Sequence, residues 1–255
     1  MGVQGLVSII IITHNRCELL KKCISSVIES AANVNKEIIV WDNNSDKETI
    51  EYLEEVEKQF PFLKVIYNKE NIGVNAKRKV FDLSKGGYMI GVDDDVIKFP
   101  DEWIQKMMNA FRSVDRLGYL SLDVVKDEFT NGAKPPESEY IEINYGNGLT
   151  LQFGPVGGWC FMIPRYVCKK VGKLRQCKKI IFFAEDSDYI IRAEMKSFKS
   201  AILKDVKCYH ATGEYYNKDY KEVLDKKMQD WYASDKDFHK FVRKIRYSIY
   251  KFFKH

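Results

Sequence analysis

Residues 86–100 read GGYMIGVDDDVIKFP: an apolar run over residues 88–92 ends abruptly in Asp93, Asp94 and Asp95. Apolar residues leading into turn chemistry read as a buried strand. Three adjacent carboxylates repel one another and suit the C-terminal end of such a strand, where open parallel sheets bind ligands. Hard oxygen ligands at that edge fit Mg²⁺ or Mn²⁺ carrying a phosphate group. A solvated acidic turn explains the triplet equally well, so the surrounding chain has to decide.

Upstream, strand and helix patterns alternate. Residues 6–13 (LVSIIIIT) are a β-branched run, the mark of a strand buried on both faces. Leu19, Leu20, Cys23, Ile24, Val27 and Ile28 then share one helical stripe. Residues 37–41 (EIIVW) form a second strand ending at Asp42. Ser45 with Glu48 reads as a capping box for a helix to about Lys58. Residues 62–67 give a third strand, residues 74–84 a helix, and residues 88–92 the fourth strand. This spacing predicts right-handed βαβ crossovers, hence an α/β fold with a Rossmann-like, mostly parallel sheet flanked by helices.

Polar clusters end each strand: Thr13-His14-Asn15-Arg16, Asp42-Asn43-Asn44-Ser45, residues 68–73, and the acidic triplet. Right-handed crossovers bring all four to one edge of the sheet. Their Asp, Asn and Thr content fits a ligand crevice better than a Lys/Glu-rich solvated rim. No GxGxxG or GxxxxGK[ST] follows the first strand, which argues against dinucleotide and P-loop nucleotide binding.

The second half predicts a helix from Pro100, with Trp103, Ile104, Met107, Met108, Phe111 and Val114 on its buried stripe. A strand is expected over residues 119–125, then a polar excursion over residues 126–139. Short strands are expected at 140–144 and 149–153 around the turn Gly146-Asn147-Gly148, giving a smaller, mixed sheet in the second half. Gly157, Gly158 and Trp159 precede a strand at residues 160–163; glycines there mark either close backbone approach to a ligand or a simple bend. Glu185 and Asp186 sit in the first turn of an amphipathic helix, where acidic residues are also ordinary dipole partners. Two strand-like pieces, residues 200–203 and 206–209, lead to His210. A lone histidine there is more often structural than a ligand.

Whole-chain properties bound the function. At 255 residues, 45% hydrophobic and 30% charged, the chain reads as a globular domain. A net charge of +5 suits anionic small molecules and does not mark a nucleic-acid binder. Six scattered cysteines without metal spacing, and no signal peptide or membrane-spanning run, lead to the expectation of a cytoplasmic protein with reduced thiols. From Phe238 the tail alternates Phe238, Phe241, Val242, Ile245, Ile249, Phe252 and Phe253 with lysines and arginines on one helical period. Such a helix lies on an anionic membrane surface, or docks on the domain or on a second copy as a homodimer.

In this order the segments VSIIIITHNR, IIVWDNNSDKET, NIGVNAKRK, GGYMIGVDDD and FFAEDSDYIIRAEMKSFKSAILKDVKCYH resemble the family-2 inverting glycosyltransferases with a GT-A fold. The resemblance covers roughly residues 7–213. It implies a nucleotide-binding half (residues 1–99), an acceptor-binding half (residues 100–216) and a separate helical extension (residues 217–255). It also implies that Thr13, Asn15, Arg16, Asp42 and Asn44 line the base and diphosphate of a donor, typically a UDP-sugar. Asn71, Gly73 and Arg78 would shape that pocket. Asp93 and Asp95 would be the DxD pair, with Asp93 towards ribose or the metal and Asp95 on Mn²⁺ or Mg²⁺; Asp94 could share the task. His210 would be a third metal ligand, Asp186 the general base with Glu185 as the alternative, and Gly157, Gly158 and Trp159 the acceptor side. The implied reaction is single-sugar transfer to a hydroxyl of a glycan or lipid-linked acceptor, as in polysaccharide biosynthesis. The segment at residues 180–183 departs from the family's usual lead-in, and no QxxRW follows, which argues against a processive synthase. A nucleotidyltransferase or a non-catalytic glycan-binding module are the competing readings. The first lacks its glycine-rich turn and the second leaves the acidic set unexplained.

Overall fold

A computed structural model of the chain describes residues 3–175 and 185–216. Cys177 and the basic tail expected from Phe238 lie outside the described residues. The alternation read from the sequence is present: β1 (Val3–Thr13), α1 (Cys17–Ser30), β2 (Lys36–Asp42), α2 (Lys47–Gln59), β3 (Leu63–Tyr67), α3 (Asn75–Leu83) and β4 (Gly86–Asp93). Then follow β5 (Val96–Lys98), α4 (Trp103–Ser113), β6 (Leu117–Val124), β7 (Ile141–Asn144), β8 (Thr150–Phe153), β9 (Cys160–Pro164), α5 (Arg165–Val171), α6 (Glu185–Met195) and β10 (Lys199–His210).

One sheet runs in the order β3-β2-β1-β4-β9-β6-β10-β8-β7, with β5 paired to β10. β1, β2, β3 and β4 are mutually parallel; β9 enters antiparallel between β4 and β6, and β10 lies parallel to β6. β9 thus joins both halves of the chain into a single layer. Ile9, Ile10 and Ile11 of β1 are fully buried, as a strand covered by helices on both faces requires. Register fixes where the site lies: Thr13 pairs with Asp42 and Ile12 with Asp93, so three strand ends finish level.

A Cβ on Gly91 of β4 would come within 2.4 Å of the Phe161 ring, so only glycine leaves room for it. Phe161 in turn stacks on Tyr119 at 4.9 Å between ring centres. This aromatic layer seats β9 against β4 directly behind the acidic triplet.

Several sequence expectations are corrected. Ser45 is not the N-cap of α2: Asp46 is, accepting from Thr49 N at 3.0 Å, while Ser45 Oγ accepts from Asn15 N. α4 begins at Trp103, not Pro100, because Glu102 turns left-handed (φ 59°) and Phe99 stacks on Trp103. The two strand pieces before His210 are one strand. The polar Lys204-Asp205 step is absorbed as a register shift between Leu203 and Lys207, with Asp205 accepting from Thr150 N at 2.6 Å. β5 and α5 carried no clear sequence signal.

The excursion after β6 is tied down by a buried lysine. Lys134 Nζ, with a fully buried side chain, donates to Asp123 (2.7 Å), Gln152 (2.6 Å) and Glu137 (3.0 Å) and lies 4.9 Å over the Tyr140 ring. Burial acts to raise the Glu137 carboxyl, but hydrogen bonds from Gln152 and Lys134 lower it from 4.5 to about 2. A depressed carboxylate stabilises the fold above its unfolded pKa, and that contribution is lost as pH falls through the folded value. Calorimetry from pH 4.5 down to 2 should therefore show a steeper fall of Tm in the wild type than in Glu137→Gln; parallel slopes would contradict this.

Candidate active site

The site forms where β1, β2 and β4 end, and β5 completes it. After Asp95 the chain turns back into β5, whose Val96 pairs with His210 at the end of β10. Ala211 N also donates to Asp95 O at 2.8 Å. A histidine more than a hundred residues away is thereby set against the triplet. Single ligand atoms of Asp93, Asp95 and His210 all lie within 4.8 Å of one another.

The surroundings of His210 give each ring nitrogen a different partner. Nδ1 lies 2.9 Å from Gly132 O; a carbonyl only accepts, so Nδ1 carries the proton and donates. Nε2 then faces Asp95 Oδ1 at 3.2 Å. Although close, that oxygen is buried and has no hydrogen bond of good geometry. An imidazole held by a backbone carbonyl, beside a buried unbonded carboxylate oxygen and a second carboxylate, is the donor set that a divalent cation takes. Burial acts against charge on His210, but Asp95 outweighs it and raises the imidazole to about 9. Burial would raise Asp95 as well; Arg16 and His210 overcome it and hold the carboxyl well below the usual range.

The other residues expected here divide. Thr13 and Arg16 point at the acidic triplet: Thr13 Oγ1 donates to Asp94 Oδ2 at 2.8 Å, and Arg16 bridges Asp94 Oδ1 and Asp95 Oδ2 at 2.9 Å each. Asn15 (φ 53°) uses Oδ1 to accept from Asp46 N, so it shapes the crossing of the first two loops. Asp42, nearly fully buried, accepts from Ser45 N. Asn44 is exposed at a left-handed corner. Asn71 Oδ1 accepts from Gly73 N, and Gly73 takes φ 58°.

Two residues not singled out from sequence do more than their neighbours. Asn43, rather than Asn44, ties the second loop to the third: Oδ1 accepts from Trp41 Nε1, and Nδ2 donates to Gly73 O at 3.1 Å. Lys77, next to Arg78, brings a cation to the triplet, with Nζ 3.2 Å from Asp93 Oδ1 and 5.6 Å over the Phe161 ring. Lys77 shares the buried face of α3 with Ala76, Val80 and Phe81, so a lysine on an apolar stripe was its available signal.

Trp159 is not open for stacking on a sugar. It is 4% exposed, donates Nε1 to Leu122 O at 2.9 Å and stacks 6.0 Å from His210, which it supports. Gly157 O accepts from Ser121 Oγ at 2.6 Å, and a Cβ on Gly157 would strike the Trp159 ring. A Cβ on Gly158 would stand 3.1 Å from Asp186 Oδ2. Since Asp93 N donates to the adjacent Trp159 O at 2.8 Å, the Gly158–Trp159 corner brings Asp186 and Asp93 to one region. Buried Tyr189 and Arg192, which donates to Val171 O and Lys173 O, fix α6 in place. The Glu185 side chain lies outside the described residues.

The ten-stranded mixed sheet, with its parallel β1–β4 block and flanking helices, has the GT-A fold of the solved glycosyltransferases described below. The chain belongs to glycosyl transferase family 2, whose family model matches residues 8–172. It is 32% identical over 127 residues (48% of this chain) to an uncharacterised glycosyltransferase of Haemophilus influenzae. Among solved structures, the mannosyltransferase of Pyrobaculum calidifontis in complex with GDP-Man and Mn²⁺ superposes with a TM-score of 0.59 over 82% of this chain, at 18% identity. The Staphylococcus aureus protein TarS, residues 1–349 with UDP-GlcNAc, gives 0.58 over 88% at 17% identity. This chain spans 39% of the Haemophilus relative's length and 57% and 66% of the two solved chains. No helix among the described residues is long and apolar enough to cross a membrane.

Proposed function

We propose that the chain transfers a single sugar from a nucleoside diphosphate sugar, with UDP the favoured carrier, to an acceptor hydroxyl of a glycan or lipid-linked glycan. The observation that carries this reading is the convergence of Asp93, Asp95 and His210 at the end of β4, next to the corner that holds Asp186. Asp93, Asp95 and His210 would hold a divalent cation, Mn²⁺ or Mg²⁺, which would supply Lewis-acid stabilisation of charge on the departing diphosphate. The neighbouring carbonyl, imidazole and carboxylate chemistry supports the fit.

The chain's own residues account for the rest. Asp42, Asn43, Asn71 and Gly73 shape the base-proximal loops, and Lys77 sets an ammonium beside Asp93 where negative charge from a diphosphate enters. Asp186, at the start of α6, accepts the proton of the attacking hydroxyl on a carboxylate oxygen. Attack on the face of the sugar opposite the departing diphosphate would invert the anomeric centre. Residues 217–255 stay part of the proposal as a separate extension that holds the enzyme at a membrane or pairs two copies.

Asp186→Asn is expected to lower transfer by roughly 10²–10⁴-fold while donor binding is retained, the range for losing a positioned base. Gly158→Ala should cost activity in the same direction without unfolding, because the new methyl displaces the carboxylate. Release of nucleoside diphosphate from a panel of UDP- and GDP-sugars reads both. Asp186→Asn turnover equal to wild type would remove Asp186 from the base role.

A further inference from the structure

We propose that the middle carboxylate, Asp94, acts as the anchor of a relay in which Arg16 positions Asp95, and is not itself a metal ligand. The proposal rests on the metal-dependent reading above.

Both Asp94 oxygens are already engaged. Oδ2 accepts from Thr13 Oγ1 at 2.8 Å, and Oδ1 accepts from Arg16 NH1 at 2.9 Å. The other arm of the same guanidinium, NH2, donates to Asp95 Oδ2 at 2.9 Å. A guanidinium is planar with fixed spacing between its arms, so engaging two carboxylates at once fixes the orientation of each. Asp94 is 5% exposed and Asp95 7% exposed, so solvent competes little for these bonds. The consequence falls on the remaining oxygen: with Oδ2 held, Asp95 Oδ1 is presented to His210 Nε2 at 3.2 Å and makes no hydrogen bond of good geometry. Thr13 and Arg16 therefore serve the donor site through the carboxylates they orient. They are positioning residues.

The sign of one effect separates this from simple charge balance. Arg16 is a cation next to a cation site, so if it acted only through its charge, removing it would tighten metal binding. If it acts by orienting Asp95, removing it weakens binding, as losing a partner that orients a ligand does, by roughly 10–100-fold. Arg16→Lys sharpens the contrast, since lysine keeps the charge but cannot fork to two carboxylates.

The experiment measures binding of Mn²⁺ to the purified full chain by electron paramagnetic resonance, with Mn²⁺ alone and with Mn²⁺ plus UDP. Arg16→Gln, Arg16→Lys and Asp94→Asn are expected to bind Mn²⁺ more weakly by roughly 10–100-fold, each with a wild-type circular dichroism spectrum. Asp94→Asn weakens binding because the side chain then offers one acceptor to two donors, the Thr13 hydroxyl and Arg16. Variants that bind Mn²⁺ as tightly as wild type, or more tightly, overturn the relay. Should Arg16→Gln fail to fold, Arg16→Lys decides. Wild-type chain that binds no Mn²⁺ with or without UDP overturns the metal reading of the site instead, and the two failures are thereby distinct.

Discussion

Asp95→Ala is expected to cut sugar transfer about a thousandfold or more while the fold survives. Asp95 Oδ1 is the buried oxygen presented to His210, and Asp93 completes the cluster. A bound cation contributes several kcal/mol of stabilisation to developing charge, and each ~1.4 kcal/mol is tenfold in rate. The substitution also leaves Arg16 with one carboxylate instead of two, so stability is expected to fall modestly. Activity should collapse with EDTA in the wild type and be insensitive to EDTA in the variant. Variant transfer within tenfold of wild type would show that the cluster does not hold the catalytic metal.

The largest expected effect on stability is at Lys134. Its buried ammonium is shared among Asp123, Gln152 and Glu137, and Lys134→Met keeps the length of the side chain while deleting the charge. Asp123 is then left buried, with Lys207 at 3.6 Å as its remaining cation among the described residues. Breaking a buried pair by removing one partner costs about 3–5 kcal/mol. At roughly 2–4 °C per kcal/mol for a chain of this size, Tm should fall by roughly 10 °C. The double variant Lys134→Met with Asp123→Leu should recover much of the loss, because replacing both partners removes the orphaned charge. Equal Tm for the single and double variants would refute the account of this knot.

Why some of this was legible in sequence and some not follows from the range of the interactions. The four parallel strands were readable because each is a local run, LVSIIIIT or EIIVW, whose burial on both faces leaves continuous apolar residues. The polar strand ends were readable because parallel topology collects them at one edge. β5 was not: three residues with no periodicity pair with a strand more than a hundred residues later. The same non-local pairing sets His210 beside Asp95: from its own residues a lone histidine after a strand reads as structural, and it was the family resemblance, not any local pattern, that implied a metal ligand there. Trp159 was expected on the acceptor side, yet its indole is turned inward onto Leu122 and His210; a sequence does not say which way a glycine-flanked ring will face. Lys77 was passed over in favour of Arg78 one position on, although it shares the buried face of α3.

The family model matches residues 8–172, which carry β1 to β9 and the acidic triplet, and stops short of Asp186, His210 and β10. These two residues reach the triplet only through α6 and β10, so the proposed chemistry depends on elements beyond the matched segment. That makes the position of a bound cation the decisive observation. Crystals of the full chain grown with Mn²⁺ and UDP, measured for anomalous scattering at the manganese edge, locate it directly. The expected result is one anomalous peak within coordination distance of Asp95 Oδ1 and His210 Nε2, with Arg16 still forked between Asp94 and Asp95. A UDP-bound chain with no peak there, or with manganese elsewhere, would contradict the metal site on which the proposed transfer rests.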